Sequence, residues 1–253
     1  MTRPTSSEKR FLGFLFIAVF ITFICYQHLY WRTYGQCGQF VAGQQTAMNP
    51  ENKQTNFFDN VFVDVYYESL CPDSKSFFLD QLAPAVRLLG DQISLKLIPY
   101  GKSHKFSERG NTKFKCQHGP RECLGNKYHS CIVNRTSHNV TLQIGVIECI
   151  FEKMFHPIEY STMKCCSNFG LNFKDIKFCA NGVEGNSLLE AHGEDTEPLH
   201  LYFVPTVVLN GVMGSKHYQN EILKDLRAEV CKILNYTTTS IELRGIHNAC
   251  GSY

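Results

Sequence analysis

Cysteine constrains this chain more than any other residue. Twelve cysteines stand in 253 residues, and seven of them (Cys116, Cys123, Cys131, Cys149, Cys165, Cys166 and Cys179) fall between residues 101 and 200. That density belongs to chains that fold in an oxidising compartment, where cysteines pair. The start of the chain agrees. Residues 11–25, FLGFLFIAVFITFIC, are an uncharged and mostly apolar run behind Arg3, Lys9 and Arg10. Extended through Tyr26, Tyr30 and Trp31, the segment 11–31 is long enough for a signal anchor with aromatic residues at its far end. Read short, it is a secretory signal peptide without a clean cleavage site, Thr33 and Gly35 making a poor one. A buried core helix is the third reading. The first two leave residues 1–10 cytoplasmic and put the chain from about residue 35 onward in a lumen or outside the cell, anchored to the membrane or secreted. Sequons at Asn134, Asn139 and Asn235 fit glycosylation there.

With 43% hydrophobic and 13% aromatic residues the chain can bury a core, which excludes a disordered protein. A net charge of +2 gives no reason to expect a nucleic-acid partner. Residues 32–57, rich in Gly, Gln, Asn and Thr, read as a linker ahead of a domain over 58–250. VFVDVYYES at 61–69 reads as a buried strand. Phe78, Leu82, Ala85, Val86 and Leu89 form a helical stripe over 73–89, kinked at Pro84. ISLKLIPY at 93–100 reads as a second strand, parallel to the first. The cysteine-rich stretch of about 101–200 carries helical patterns at 140–155 and 171–191. LYFVPTVVLNGV at 201–212 is β-rich, interrupted by Pro205, and ends in the hairpin signal Asn210-Gly211. Residues 220–234 close with a helix. The order is β-α-β, an insertion, then β-β-α. It predicts an α/β protein: a thioredoxin-like core with an inserted cysteine-rich, mainly helical subdomain.

Chemistry concentrates in YYESLCPDSKSFF, residues 66–78. Cys71 stands where the strand ends, and Pro72 suits the first turn of a helix. Thiolates, not thiols, attack disulfides, and a helix N-terminus favours the anion. Asp73 and Glu68 oppose that anion, unless Glu68 serves as a proton acceptor. Ser74 stands three residues after Cys71, where a thiol–disulfide enzyme would carry its second cysteine. In a thioredoxin-like fold a cis proline precedes the third core strand and packs against the reactive cysteine. Pro205 fits that place, the alternative being a proline on a sheet edge.

The segment CQHGPRECLGNKYHSC, residues 116–131, resembles the signature of the gamma-interferon-inducible lysosomal thiol reductase family, with Cys116, Gln117, His118, Gly119, Glu122, Cys123, Asn126 and Cys131 in register. VDVYYESLCPDS, the cysteines at 149, 165 and 179, and VPTVVLNG resemble that family as well. The likeness implies a thioredoxin-like fold, glycosylation, and reduction of disulfides in client proteins within endosomes or lysosomes. It casts Cys71 as the attacking cysteine and sets Ser74 in place of the resolving one. A site with a single thiol needs a small external thiol, or another protein cysteine, to release its client; Cys165 or Cys166 is a candidate for the latter.

Parity fits this reading. Setting Cys25 aside, Cys37, Cys116, Cys123, Cys131, Cys149, Cys165, Cys166, Cys179, Cys231 and Cys250 are disulfide candidates, and Cys71 is the odd one. Sequence does not assign the pairs; Cys231 with Cys250, and pairs within 116–131, are guesses. A zinc set of Cys116, His118, Cys123, His129 and Cys131 lacks the usual ligand spacing, so no metal or cofactor is expected and His118 reads as a hydrogen-bonding residue. A cysteine protease built on Cys71 has no motif to support it. The expected function is thiol–disulfide exchange on client proteins through Cys71. The alternative is a binding protein of the same fold that holds clients without turnover.

Overall fold

The computed structural model describes residues 60–237 and Cys250; the expectations for residues 1–10, 11–31 and 32–57, with Cys25 and Cys37, lie outside them. Strand β1 (Val61–Tyr67) is the middle of a three-stranded sheet. It pairs in parallel with β2 (Ile93–Pro99), from Val61 opposite Ile93 to Tyr67 opposite Pro99. On its other side it pairs antiparallel with β5 (Thr206–Leu209), from Val63 opposite Leu209 to Tyr66 opposite Thr206. Val61, Val63, Val65 and Tyr67 are buried, and Tyr66 is buried too. A strand covered on both faces reads as a continuous apolar run rather than a clean alternation, as the end of β1 does.

The crossover from β1 to β2 is α1 (Pro72–Phe77), a π-helical turn (Phe78–Leu82) and α2 (Ala83–Leu89). Pro84 has no N–H to return to the carbonyl of Asp80, so the expected kink is taken up as a π turn closed by the Ala83 N–H on the carbonyl of Phe78. That turn faces the core. Phe78 packs between Tyr67 and Phe151, with ring centroids at 4.6 and 4.7 Å.

The insertion opens with a hairpin that the sequence pattern did not announce: β3 (His104–Glu108) and β4 (Asn111–Lys115). Both strands lie largely in solvent, so no apolar alternation marks them. Five helices follow: α3 (Pro120–Arg135), α4 (Val140–Glu152), α5 (Ile158–Asn168), α6 (Phe173–Asn181) and α7 (Val183–Thr196). The single helix expected over 171–191 is thus two helices, separated at the extended backbone of Gly182. Disulfides staple this layer. Cys131–Cys179 joins α3 to α6, and Cys149–Cys165 joins α4 to α5.

After β5, Asn210 and Gly211 make the expected turn with positive φ at both residues. Its second strand is reduced to one bridge, Leu209 to Val212. The chain then enters α8 (Lys216–Lys224), capped by the Ser215 hydroxyl, and α9 (Leu226–Thr237). The expected helix over 220–234 is broken at Asp225, whose carboxylate accepts the Ala228 N–H and starts a new helix. Cys231–Cys250 ties down α9. The arrangement is a thioredoxin-like core with an inserted helical subdomain. Among the described residues no helix is long and apolar enough to cross a membrane. Asn134 and Asn139 are exposed; the side chain of Asn235 is outside the described ones.

Candidate active site

Cys71 is the N-cap of α1, with extended backbone at φ −76° and ψ 123°. Pro72 and Asp73 fill the first turn. The Ser74 N–H donates to Cys71 Sγ at 3.5 Å. Across from it, the Val204–Pro205 peptide bond is cis, and the carbonyl oxygen of Val204 lies 3.8 Å from the same sulfur. Residues 133 positions apart therefore frame one thiol. Cys71 is in no disulfide, and its residue exposure is 6%. Only the edge of the group reaches solvent, so a reacting disulfide must come into contact with the rim. Two exposed aromatic residues lie on neighbouring segments: Tyr202, two residues before Val204, is 85% exposed, and Phe155 is 84% exposed with the Lys75 ammonium of α1 over its ring at 5.0 Å. A cavity of about 230 Å³ beside the turn is lined by Asp73, Phe77, Gln81, Pro205 and Leu223 among others.

Ser74 points inward. It is fully buried, and its Oγ accepts the Glu68 N–H at 3.4 Å. The hydroxyl thus satisfies the backbone donor just past the end of β1, a structural job that a cysteine sulfur would share less well.

Behind the turn stands the 116–131 segment. Gly119 has φ 85° and ψ −173°, a region closed to residues with a Cβ, and Pro120 follows at the first helical position. The Cys116–Cys123 disulfide closes this loop onto α3. From α3, Asn126 accepts the Ser69 N–H at 2.9 Å, and the Ser69 hydroxyl donates to the Glu122 carbonyl at 3.2 Å. The approach is close: a Cβ on Gly125 would sit 2.3 Å from Ser69 Oγ. The spacing of that segment is thereby explained as a brace for the residues leading into Cys71. Asn126→Leu removes the acceptor and leaves the buried Ser69 N–H unpaired. The expected loss of stability is about 1–3 kcal/mol, read by chemical denaturation.

Two carboxylates meet an imidazole at the same place. Glu68 Oε1 accepts the Lys102 N–H at 2.7 Å, and Glu122 Oε1 accepts the His118 N–H at 2.9 Å. His118 Nδ1 contacts Glu122 Oε2 at 2.5 Å and Glu68 Oε2 at 3.3 Å. Burial, then the Glu122 charge, pushes the Glu68 carboxyl up to about 7. Sequence reading marks Glu68 as a proton acceptor and His118 as a hydrogen-bonding residue, without bringing them together with Glu122. The spacing of His118 and Glu122, four apart at a helix start, was the available signal.

The cysteine expectations divide. Cys116–Cys123 and Cys231–Cys250 are pairs. Cys131 pairs outside its own segment, with Cys179. Cys166 corrects the expectation of a disulfide: it is unpaired and fully buried, and burial pushes its thiol up to about 11. Neither Cys165, bonded to Cys149, nor buried Cys166 presents itself as a resolving thiol. The zinc set is closed by its own disulfides, and His129 is buried in the core with its Nδ1 3.2 Å from the Tyr67 hydroxyl.

Comparison with known proteins places this geometry. Residues 62–169 match the family model described as gamma interferon inducible lysosomal thiol reductase (GILT). GILT-like protein 1 of Drosophila melanogaster is 38% identical over 168 residues, which cover 61% of this chain and 67% of that protein. The gamma-interferon-inducible lysosomal thiol reductase of Carassius auratus is 33% identical over 201 residues, covering 76% of each. Among solved structures, the reduced form of the disulfide bond oxidoreductase DsbG from Mycobacterium tuberculosis aligns at a TM-score of 0.49 and 15% identity, covering 76% of this chain and 84% of that one. With the signature segment, the strand–cysteine–proline turn and relatives at this identity, the chain belongs to the gamma interferon inducible lysosomal thiol reductase family.

Proposed function

We propose that this protein is a thiol–disulfide oxidoreductase that acts on disulfides of client proteins through Cys71 alone. The observation that carries the reading is the Cys71 sulfur: unpaired, at the start of α1, with the Ser74 N–H on one side and the cis Val204–Pro205 bond on the other. In the first step the Cys71 thiolate attacks one sulfur of a client disulfide. A mixed disulfide forms, the client S–S bond breaks, and the second client sulfur leaves as a thiolate that takes a proton from solvent. Ser74 has no sulfur with which to attack the new bond. A small external thiol does so instead, returning Cys71 as a thiolate and capping the client sulfur; a second equivalent frees the client and departs as the small disulfide. Exposed Tyr202 and Phe155 suit unfolded client segments with apolar side chains.

Four disulfides among the described residues support an oxidising compartment, either the lumen of lysosomes and endosomes or the outside of the cell. Anchoring through residues 11–31 and glycans on Asn134, Asn139 and Asn235 complete the proposal.

The test is capture. Incubated with a disulfide-bonded peptide, the native chain is expected to form a one-to-one covalent adduct that maps to Cys71 and dissolves on adding a small thiol. Cys71→Ala is expected to form none. In the unreacted chain, alkylation should mark Cys71 and spare Cys166, which is fully buried. Adducts that persist in Cys71→Ala would overturn the proposal. Adducts that form but never release to any small thiol would leave a binding protein rather than an enzyme.

A further inference from the structure

We propose that Glu68, His118 and Glu122 bind one divalent metal ion of the zinc class beside the Cys71 turn. The three donor atoms lie within 4.8 Å of one another. Each carboxylate is already divided in its duties. Oε1 of Glu68 is held by the Lys102 N–H and Oε1 of Glu122 by the His118 N–H, which leaves both Oε2 atoms turned toward His118 Nδ1. Outer hydrogen bonds of this kind orient the ligands of protein metal sites. Glu68 Oε2 is the second observation: it is fully buried and makes no hydrogen bond, with His118 Nδ1 at 3.3 Å. Among the described residues, no lysine or arginine makes an ion pair with either carboxylate.

Two carboxylates and an imidazole are a donor set that zinc accepts, with a fourth position open to water. Bonds of about 2.0–2.2 Å put tetrahedral ligands roughly 3.3–3.5 Å apart. The separation of His118 from Glu68 is already 3.3 Å; that of His118 from Glu122, at 2.5 Å, must widen, and the His118 side chain, one-third exposed, has room to move. The charge of a dication balances two carboxylates. Neither Cys116 nor Cys123 takes part, because they are bonded to each other. An ion here joins the end of β1, the loop before α3 and the first turn of α3. The strand end it fixes accepts the Cys71 N–H on the Glu68 carbonyl, at 3.3 Å.

The experiment titrates the full chain carrying Cys71→Ala, so that its thiol cannot compete, with Zn²⁺ and with Co²⁺ near neutral pH after chelator treatment. Calorimetry is expected to show one ion per chain at micromolar concentration, with a rise in Tm and a visible Co²⁺ absorption band. Adding His118→Ala is expected to weaken binding at least about tenfold. His118 is partly exposed, and circular dichroism and retention of the four disulfides check that its loss leaves the fold intact. No saturable binding overturns the proposal, as does equal binding by the His118→Ala chain. Since the readout is binding and not exchange, its failure leaves the proposed function of Cys71 standing.

Discussion

Replacing Ser74 with cysteine is expected to raise the rate of client disulfide reduction about a hundredfold when external thiol is limiting. Proximity sets the size of the effect. Ser74 lies in the turn that starts α1, with its N–H 3.5 Å from Cys71 Sγ, and its side chain already points into the protein. A sulfur in the place of its Oγ attacks the mixed disulfide from within the same turn. The effective concentration of a well-placed neighbouring group exceeds that of a millimolar external thiol by far more than about a hundredfold, so the figure leaves room for imperfect alignment. The new sulfur also leaves the Glu68 N–H with a weaker acceptor than the hydroxyl, so a modest loss of stability should accompany the gain. Reduction of a fluorogenic disulfide peptide at varied external thiol gives the reading. The native chain should show a rate proportional to that thiol, and Ser74→Cys a rate that no longer depends on it. If the two chains behave alike, Cys71 is not the attacking sulfur.

How much of this was legible in the sequence depends on how far apart the cooperating residues lie. The strand–Cys71–Pro72 turn and the β1–β2 pairing could be read because local chemistry determines them: a β-branched run, a proline at a helix start, a second apolar run. The cysteine pairings were not readable: Cys231–Cys250 was a guess, and nothing local decides which cysteines pair within 116–131, where Cys116–Cys123 forms. The β3–β4 hairpin was not, because its exposed strands show no alternation. Helix breaks at Gly182 and Asp225 depend on a single extended residue and a single cap, which a stripe of apolar positions overruns. Cys131–Cys179 and the meeting of Glu68 with His118 and Glu122 are matters of tertiary packing across dozens of residues. The parity count needed Cys166 in a pair, and Cys166 is a buried thiol instead.

Acid should weaken this fold through His129, and His129→Phe should remove that sensitivity. The imidazole is fully buried, with Phe151 and Tyr67 against its ring; Nδ1 faces the Tyr67 hydroxyl, and Nε2 has no hydrogen-bond partner. Burial alone depresses it from the ordinary value of 6.5 to about 3. Between those values the unfolded chain binds a proton that the folded chain does not. Stability is therefore full above about 6.5 and falls as pH falls below it, by at most about 1.4 kcal/mol per pH unit. Glu68, pushed up to about 7, acts in the opposite sense in both chains, so the difference between them isolates His129. His129→Phe starts lower near neutral pH, having left the Tyr67 hydroxyl without its partner. Its deficit is expected to shrink by about 2–3 kcal/mol between about pH 6.5 and 4.5, measured by urea denaturation at each pH. A deficit independent of pH would mean that His129 is protonated, or reached by water, in the folded chain. Cys131, two residues further along α3, is bonded to Cys179. That cross-link lowers the entropy of the unfolded chain at every pH, so it offsets the cost of the buried imidazole without changing its pH dependence.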